Sequence, residues 1–261
     1  EMKLSVGSLD IEFMHGKGET DDHTWAWIPS QKTLVTGDLV IWVFPNAGNP
    51  QKVQRYPLEW AASLRQMMTY GAELLLPAHG LPIAGKNRIN RVLGDIANVL
   101  EKLVSDTLDL MNRGEQLNNI IHEVKVDKDL LELPWLKPLY DEPEFVVRNI
   151  WRMYGGWWDA DPASLKPSPQ KALAEEIVSL TGGVNKLVER AVALAAEGNL
   201  RLSCHLIEFA AEAAPNDKKV HGARSEIYRL RRSAESSLMS KGIFAAAMRE
   251  SEQIVQSSQG D

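Results

Sequence analysis

The chain has 261 residues, 44% of them hydrophobic and 25% charged, and a formal net charge of −6. That length holds one large domain or two modest ones, and the composition is that of an ordinary globular protein. The acidic balance argues against a nucleic-acid partner, no uncharged apolar run approaches the roughly eighteen residues of a membrane span, and a single cysteine excludes an internal disulfide.

That cysteine, Cys204, lies in a helical run and reads as a small buried hydrophobe rather than a reactive thiol. The chain opens on Glu1 with no visible signal peptide, so cytoplasm and periplasm both stay open.

Before about residue 86, short apolar runs are broken by turn residues. Leu9-Asp10-Ile11-Glu12-Phe13-Met14 alternates as a strand does. Thr24-Trp25-Ala26-Trp27-Ile28-Pro29 reads as a second strand, and Ser30-Gln31-Lys32 turns the chain back into Thr33-Leu34-Val35-Thr36. Residues 58–70 have helical spacing, with Leu64, Met67 and Met68 on one face. Glu73-Leu74-Leu75-Leu76-Pro77 is a short buried strand that Pro77 ends. Alternating strands and a helix predict a layered α/β unit.

From Arg88 the chain turns helical. Ile89, Val92, Leu93, Ile96, Val99, Leu100, Leu103 and Leu110 recur at steps of three and four. Residues 127–141 form a proline-punctuated connector, and Pro143 suits the first turn of a helix through Phe145, Val146, Ile150 and Met153. After a break at 154–163, Gly182-Gly183, Gly198-Asn199 and Pro215-Asn216-Asp217 split successive helices. Ala191, Leu194 and Ala195 offer a small-residue face to Ile207, Phe209 and Ala210. The rhythm is repeat-like, an architecture that usually binds neighbours.

Three stretches carry chemistry: Gly16-Lys17-Gly18-Glu19-Thr20-Asp21-Asp22-His23 before a strand, Thr36-Gly37-Asp38 at the end of one, and Pro77-Ala78-His79-Gly80 at the end of another. Strand termini are where layered folds gather sites, and carboxylate with imidazole suits zinc or another first-row divalent ion. Taken singly, each stretch reads as readily as a turn or loop.

As an ordered set over roughly residues 5–85, they resemble the second half of the metallo-β-lactamase superfamily. Its usual form is a Gly-His-Thr loop, a Thr-Gly-Asp aspartate and a final His-Gly. Glu19 stands where most members have histidine, which is typical of the alkylsulfatase branch. That branch has glutamate where Asp38 stands, so this chain is a hybrid there. Independently, Tyr154-Gly155-Gly156-Trp157-Trp158-Asp159-Ala160-Asp161-Pro162-Ala163 resembles the signature of the alkylsulfatase dimerisation domain, a likeness covering about residues 127–250.

The resemblance implies an α+β chain: the C-terminal half of an αββα sandwich over residues 1–126, followed by an all-helical dimerisation domain over 127–261. It implies a hydrolase cleaving an alkyl sulfate ester with a metal-activated hydroxide. Glu19 would bind one zinc, Asp38 would bridge two, and His79 would bind the second; Asp38 and His23 would serve catalysis. Arg55, Tyr56 and Asn46 would contact substrate, a guanidinium fork being suited to a sulfate. The bland readings are a surface ion pair for Arg55 and a loop histidine bonded to Asp21 or Asp22 for His23. His15, His122, His205 and His221 match nothing and read as structural or exposed. The aromatics at Trp25, Trp27 and residues 42–45 read either as an apolar pocket wall or as core.

The superfamily's His-x-His-x-Asp-His motif is absent from these 261 residues. Three ligands do not hold two zinc ions. The chain alone is therefore expected to be inactive, with an N-terminal half or a second chain supplying the remaining ligands. A homodimer through the helical domain is also expected. Two alternatives stay open: another ester or lactone hydrolase on the same scaffold, and a non-catalytic dimerisation fragment.

Overall fold

The computed structural model describes residues 2–257. The chain divides into two compact units, residues 1–161 and residues 162–261. The sequence places the boundary at 126/127. The first unit extends further because two helices after that point (α5 below is the longer) join its core.

The first unit begins with β1 (Met2–Val6), β2 (Leu9–His15), β3 (Thr24–Ile28) and β4 (Thr33–Gly37), a run of antiparallel neighbours. Helix α1 (Pro57–Met68) then carries the chain to β5 (Leu74–Pro77), which lies parallel to β4, and β6 (Ile83–Ala84) pairs antiparallel with β5. The six strands form one sheet in sequence order. Pro57 starts α1 because its missing N–H costs nothing in a first turn. Trp60, Ala61, Leu64 and Met67 bury its inner stripe, and Met68 is half-buried beside them.

Helix α2 (Lys86–Asn112) follows with Ile89, Val92, Leu93, Ile96, Val99, Leu100 and Leu103 buried, the face its periodicity predicts. After the short helices α3 (Leu117–Glu123) and α4 (Lys128–Leu131), α5 (Pro143–Gly155) packs on α2 and α3 through Val146, Val147, Ile150 and Trp151. Trp25 and Trp27 belong to this core and pack against Tyr70, with ring centroids 5.5 and 5.4 Å apart. Phe44 is buried there too. Of the two readings left open for the aromatics, these three side chains take the core one.

The second unit holds α6 (Pro162–Leu165), α7 (Gln170–Thr181), α8 (Val184–Ala196), α9 (Leu200–Ala213), α10 (Lys218–Ala234) and α11 (Leu238–Gln256). The breaks fall at the Gly-Gly, Gly-Asn and Pro-Asn-Asp signals. Gly182 closes α7 in the left-handed region, and Asp217 caps α10 by accepting from the Lys219 and Val220 amides. Leu187, Ala191, Ile207, Ala210, Val220 and Ile227 form its core. Arg224, 7% exposed, reaches Glu208 at 2.8 Å and Glu250 at 3.0 Å. His221 is a satisfied core histidine, bonded to Ser251 Oγ and the Pro215 carbonyl, while His122 and His205 are exposed. Burial pushes the half-buried Cys204 thiol up to about 11, which keeps it protonated and unreactive. No helix of the described residues is long and apolar enough to cross a membrane.

Candidate functional site

Strand direction gathers the three chemical stretches at one rim. β4 and β5 run parallel, so Asp38, just after β4, and His79, just after β5, leave the sheet at the same edge. β3 runs antiparallel to β4, so the loop before β3, carrying Glu19 and His23, meets the end of β4. Ligands of open sheets collect at the carboxyl ends of parallel strands.

A cavity of about 490 Å³ opens at this rim, lined by Glu19, Asp38, Ile41, Val43, Asn46, His79 and Tyr140. His79 Nε2 stands 3.3 Å from Asp38 Oδ1, with side-chain exposures of 73% and 39%. An exposed pair contributes only about 0–1 kcal/mol, so folding gains little from bringing these two together.

Glu19 is the more buried carboxylate, with 18% of its side chain exposed. Its Oε1 accepts from Asn46 Nδ2 at 2.6 Å. The Arg55 guanidinium donates to the Glu19 carbonyl and lies 3.6 Å from Oε2. Burial raises the Glu19 carboxyl above its ordinary value, against the Asn46 hydrogen bond and the Arg55 charge; the negative charge of Asp38 raises it further and His23 opposes. Two carboxylates that repel across one cleft are a setting that a cation relieves.

Two glycines make the close approaches possible. Gly37 has φ +53°, and a Cβ there would meet the His23 ring at 2.8 Å. Gly80 has φ +95°, and a Cβ there would run into the Trp42 ring. Trp42 packs against Trp135 and donates to the Leu81 carbonyl at 2.6 Å, which holds the end of the His79 loop. The glycines after Thr36 and His79 are thus packing requirements of the rim.

The other expected residues stand behind the wall. His23 Nε2 lies 3.1 Å from the Thr36 carbonyl; its partner is that carbonyl, not the neighbouring aspartates. His15, in turn, reaches the Asp21 carbonyl at 2.6 Å. Arg55 is 5% exposed and backs Glu19, and its Nε has no partner among the described residues. The Tyr56 ring lies under Lys17 Nζ at 5.0 Å, and its amide donates to the Gly18 carbonyl. Of the substrate set, Asn46 alone is on the cleft wall. Among the described residues, no group of three or more His, Cys, Asp or Glu side chains is gathered closely enough to hold an ion. As donors, Glu19, Asp38 and His79 suit a divalent cation and share one cleft, with two of them nearly in contact; they fit part of a metal centre.

Ile41 and Tyr140 carry no sequence signal as wall residues, whereas Val43 belongs to the stretch 42–45 read as pocket wall or core and takes the wall position. Tyr140 comes from the far end of the proline-rich connector, and its place beside His79 depends on packing between distant segments.

Residues 116–253 match the family described as alkyl sulfatase dimerisation. A linear primary-alkylsulfatase of Pseudomonas sp. is 25% identical over 87% of this chain and 44% of its own length. An alkyl/aryl-sulfatase of Saccharomyces cerevisiae is 26% identical over 84% of this chain and 34% of its own. The solved structure of a stereoselective inverting sec-alkylsulfatase from Pseudomonas sp. superposes with a TM-score of 0.88 at 22% identity, over 96% of this chain and 40% of that one. That likeness establishes the fold, an α+β arrangement of sheet and helical array. The chain spans less than half the length of these relatives. With more than half of its residues matched, the chain belongs to the alkyl sulfatase dimerisation family.

Proposed function

We propose that this chain supplies one side of the active site of a zinc-dependent alkylsulfatase, together with the helices through which the enzyme forms a homodimer. The observation that carries the proposal is the convergence of Glu19, Asp38 and His79 on one cleft, with Asp38 and His79 at 3.3 Å. The named relatives are alkylsulfatases, and the dimerisation match supports association.

Glu19, Asp38 and His79 are the residues that would hold zinc, two ions being completed by a His-x-His-x-Asp-His segment from the remainder of the enzyme or a second chain. Zinc would supply the Lewis acidity that makes water nucleophilic near neutral pH. The chain's own residues do the positioning. Asn46 faces the cleft and directs Glu19 with one amide hydrogen, leaving the other for a substrate oxygen. Arg55 works from behind the wall, holding the Glu19 carbonyl and setting its positive charge beside the Glu19 carboxylate. His23 fixes the Thr36-Gly37 turn from which Asp38 projects. Ile41 and Val43 give the wall an apolar strip for an alkyl chain. Tyr56 acts from behind, tying the irregular segment entering α1 to the Glu19 loop.

The test uses the complete protein. Sulfate release from dodecyl sulfate is compared with turnover of a lactone and a phosphodiester, and zinc is counted per protomer. About two zinc ions and sulfate release are expected, both lost in Asp38→Asn. Turnover of the lactone alone moves the assignment to another hydrolase of the scaffold. Absence of zinc and of all turnover leaves a dimerisation fragment.

A further inference from the structure

Residues 38–56 cross from β4 to α1 without regular secondary structure, yet Phe44 to Asn49 are all buried, as is Arg55. A buried irregular segment must pair its backbone polar groups with something other than a helix or sheet. Two side chains from the region of α5 provide much of that pairing, and both lines of contact end at Glu19.

The first line starts at Asp141, which is fully buried. Its Oδ2 accepts from the Gly48 amide at 2.6 Å and the Asn49 amide at 3.0 Å, and its Oδ1 accepts from the Glu142 amide at 2.7 Å. Asn49 Nδ2 donates to Asn46 Oδ1 at 3.3 Å, and Asn46 Nδ2 donates to Glu19 Oε1 at 2.6 Å. Gly48 sits against the backbone of Phe145 and Val146, where a Cβ would collide with it, so the loop lies directly on the first turn of α5.

The second line starts at Asn149, 6% exposed, on the buried face of α5. Its Oδ1 accepts from the Arg55 amide at 3.1 Å, and its Nδ2 donates to the Arg55 carbonyl at 2.9 Å. One carboxamide thus satisfies both backbone groups of Arg55, as a neighbouring strand would. Gln54 Nε2 reinforces it at 3.1 Å from Oδ1. Arg55, so fixed, grips Glu19 at its carbonyl and flanks its carboxylate.

We propose that Asp141 and Asn149 are positioning residues that set the Glu19 carboxylate through these two arms. This rests on the reading of Glu19 as a metal ligand. Both lie within the stretch matched as alkyl sulfatase dimerisation, so α5 and the residues leading into it also support the candidate cleft.

The test is zinc affinity of the complete enzyme, measured by competition with a chelator. Asn149→Leu and Asp141→Asn each weaken zinc binding by about 10- to 100-fold, the usual effect of removing a group that orients a ligand. Asn149→Asp keeps the acceptor for the Arg55 and Gln54 donors and loses less, which separates positioning from misfolding. In a Glu19→Gln background neither substitution weakens binding further, because no carboxylate remains to be set. Amide exchange in the metal-free protein rises over residues 46–49 for Asp141→Asn and over 52–56 for Asn149→Leu. If Glu19→Gln leaves zinc affinity unchanged, the metal reading falls and the clamp with it. If Glu19→Gln weakens zinc but the Asp141 and Asn149 variants do not, or their effects simply add to it, the clamp alone is overturned.

Discussion

Alanine at Gly37 would disturb the turn that aims Asp38, and the structure sets the size of the disturbance. Gly37 sits at φ +53°, where a Cβ costs roughly 1–2 kcal/mol. The new methyl would lie 2.8 Å from His23 Cε1 and 2.9 Å from Nε2, so the ring must swing away and give up its contact with the Thr36 carbonyl. That hydrogen bond is worth a further ~0.5–1.5 kcal/mol net. Gly37→Ala is therefore expected to destabilise the first unit by about 2–3 kcal/mol. Denaturant unfolding followed by tryptophan fluorescence measures it, because all eight tryptophans lie in residues 1–161. Removing the ring first by His23→Ala should leave only the backbone cost, so the two substitutions couple by about 1 kcal/mol in a double-mutant cycle. A loss below about 0.5 kcal/mol, or strict additivity, would refute the packing account of the turn.

Three further outcomes follow from the same geometry. His79→Ala should change stability by no more than about 1 kcal/mol, since the pair with Asp38 is exposed, while zinc content of the complete enzyme falls; a large stability loss would make the histidine structural. Burial pushes the Asp141 carboxyl up to about 7 against the pull of three backbone amides, so its folded value lies above the unfolded 3.8. Its contribution to stability is therefore fully present below about pH 4 and lost as pH rises toward 7, a swing on the order of 4 kcal/mol. The stability difference between the native protein and Asp141→Asn should change across that window, and a flat difference counts against it. Trp60 is fully buried and donates to the Leu39 carbonyl at 3.0 Å, so Trp60→Ala should cost about 3–5 kcal/mol by denaturant titration, with Leu39 losing its hold beside Asp38.

Local patterning made most elements readable. The alternation of 9–14, the tryptophan strand and its return, the stripe of α2 and the glycine and proline breaks of the last helices each follow from periods of two or 3.6 and from turn chemistry that neighbours alone decide. β1 and β6 leave no strand signal in the sequence: β1 is exposed throughout and β6 is two residues long, so neither carries an alternating burial pattern. The order of Glu19, Thr36-Gly37-Asp38 and His79-Gly80 marked the candidate site as a resemblance.

What the sequence by itself determined was the set of elements and the list of chemically able side chains, because both are written in short-range pattern. Tertiary structure decided which of those side chains share a wall. The parallel pairing of β4 with β5 brings Asp38 and His79 together, while Arg55, Tyr56 and His23 stand behind that wall. It also decided that Asp141 and Asn149, unremarkable in sequence, reach Gly48, Asn49 and Arg55 more than ninety residues earlier. Sequence neighbours pair some of the buried backbone of segment 38–56, but the partners of Gly48, Asn49 and Arg55 are in place only when α5 packs against it.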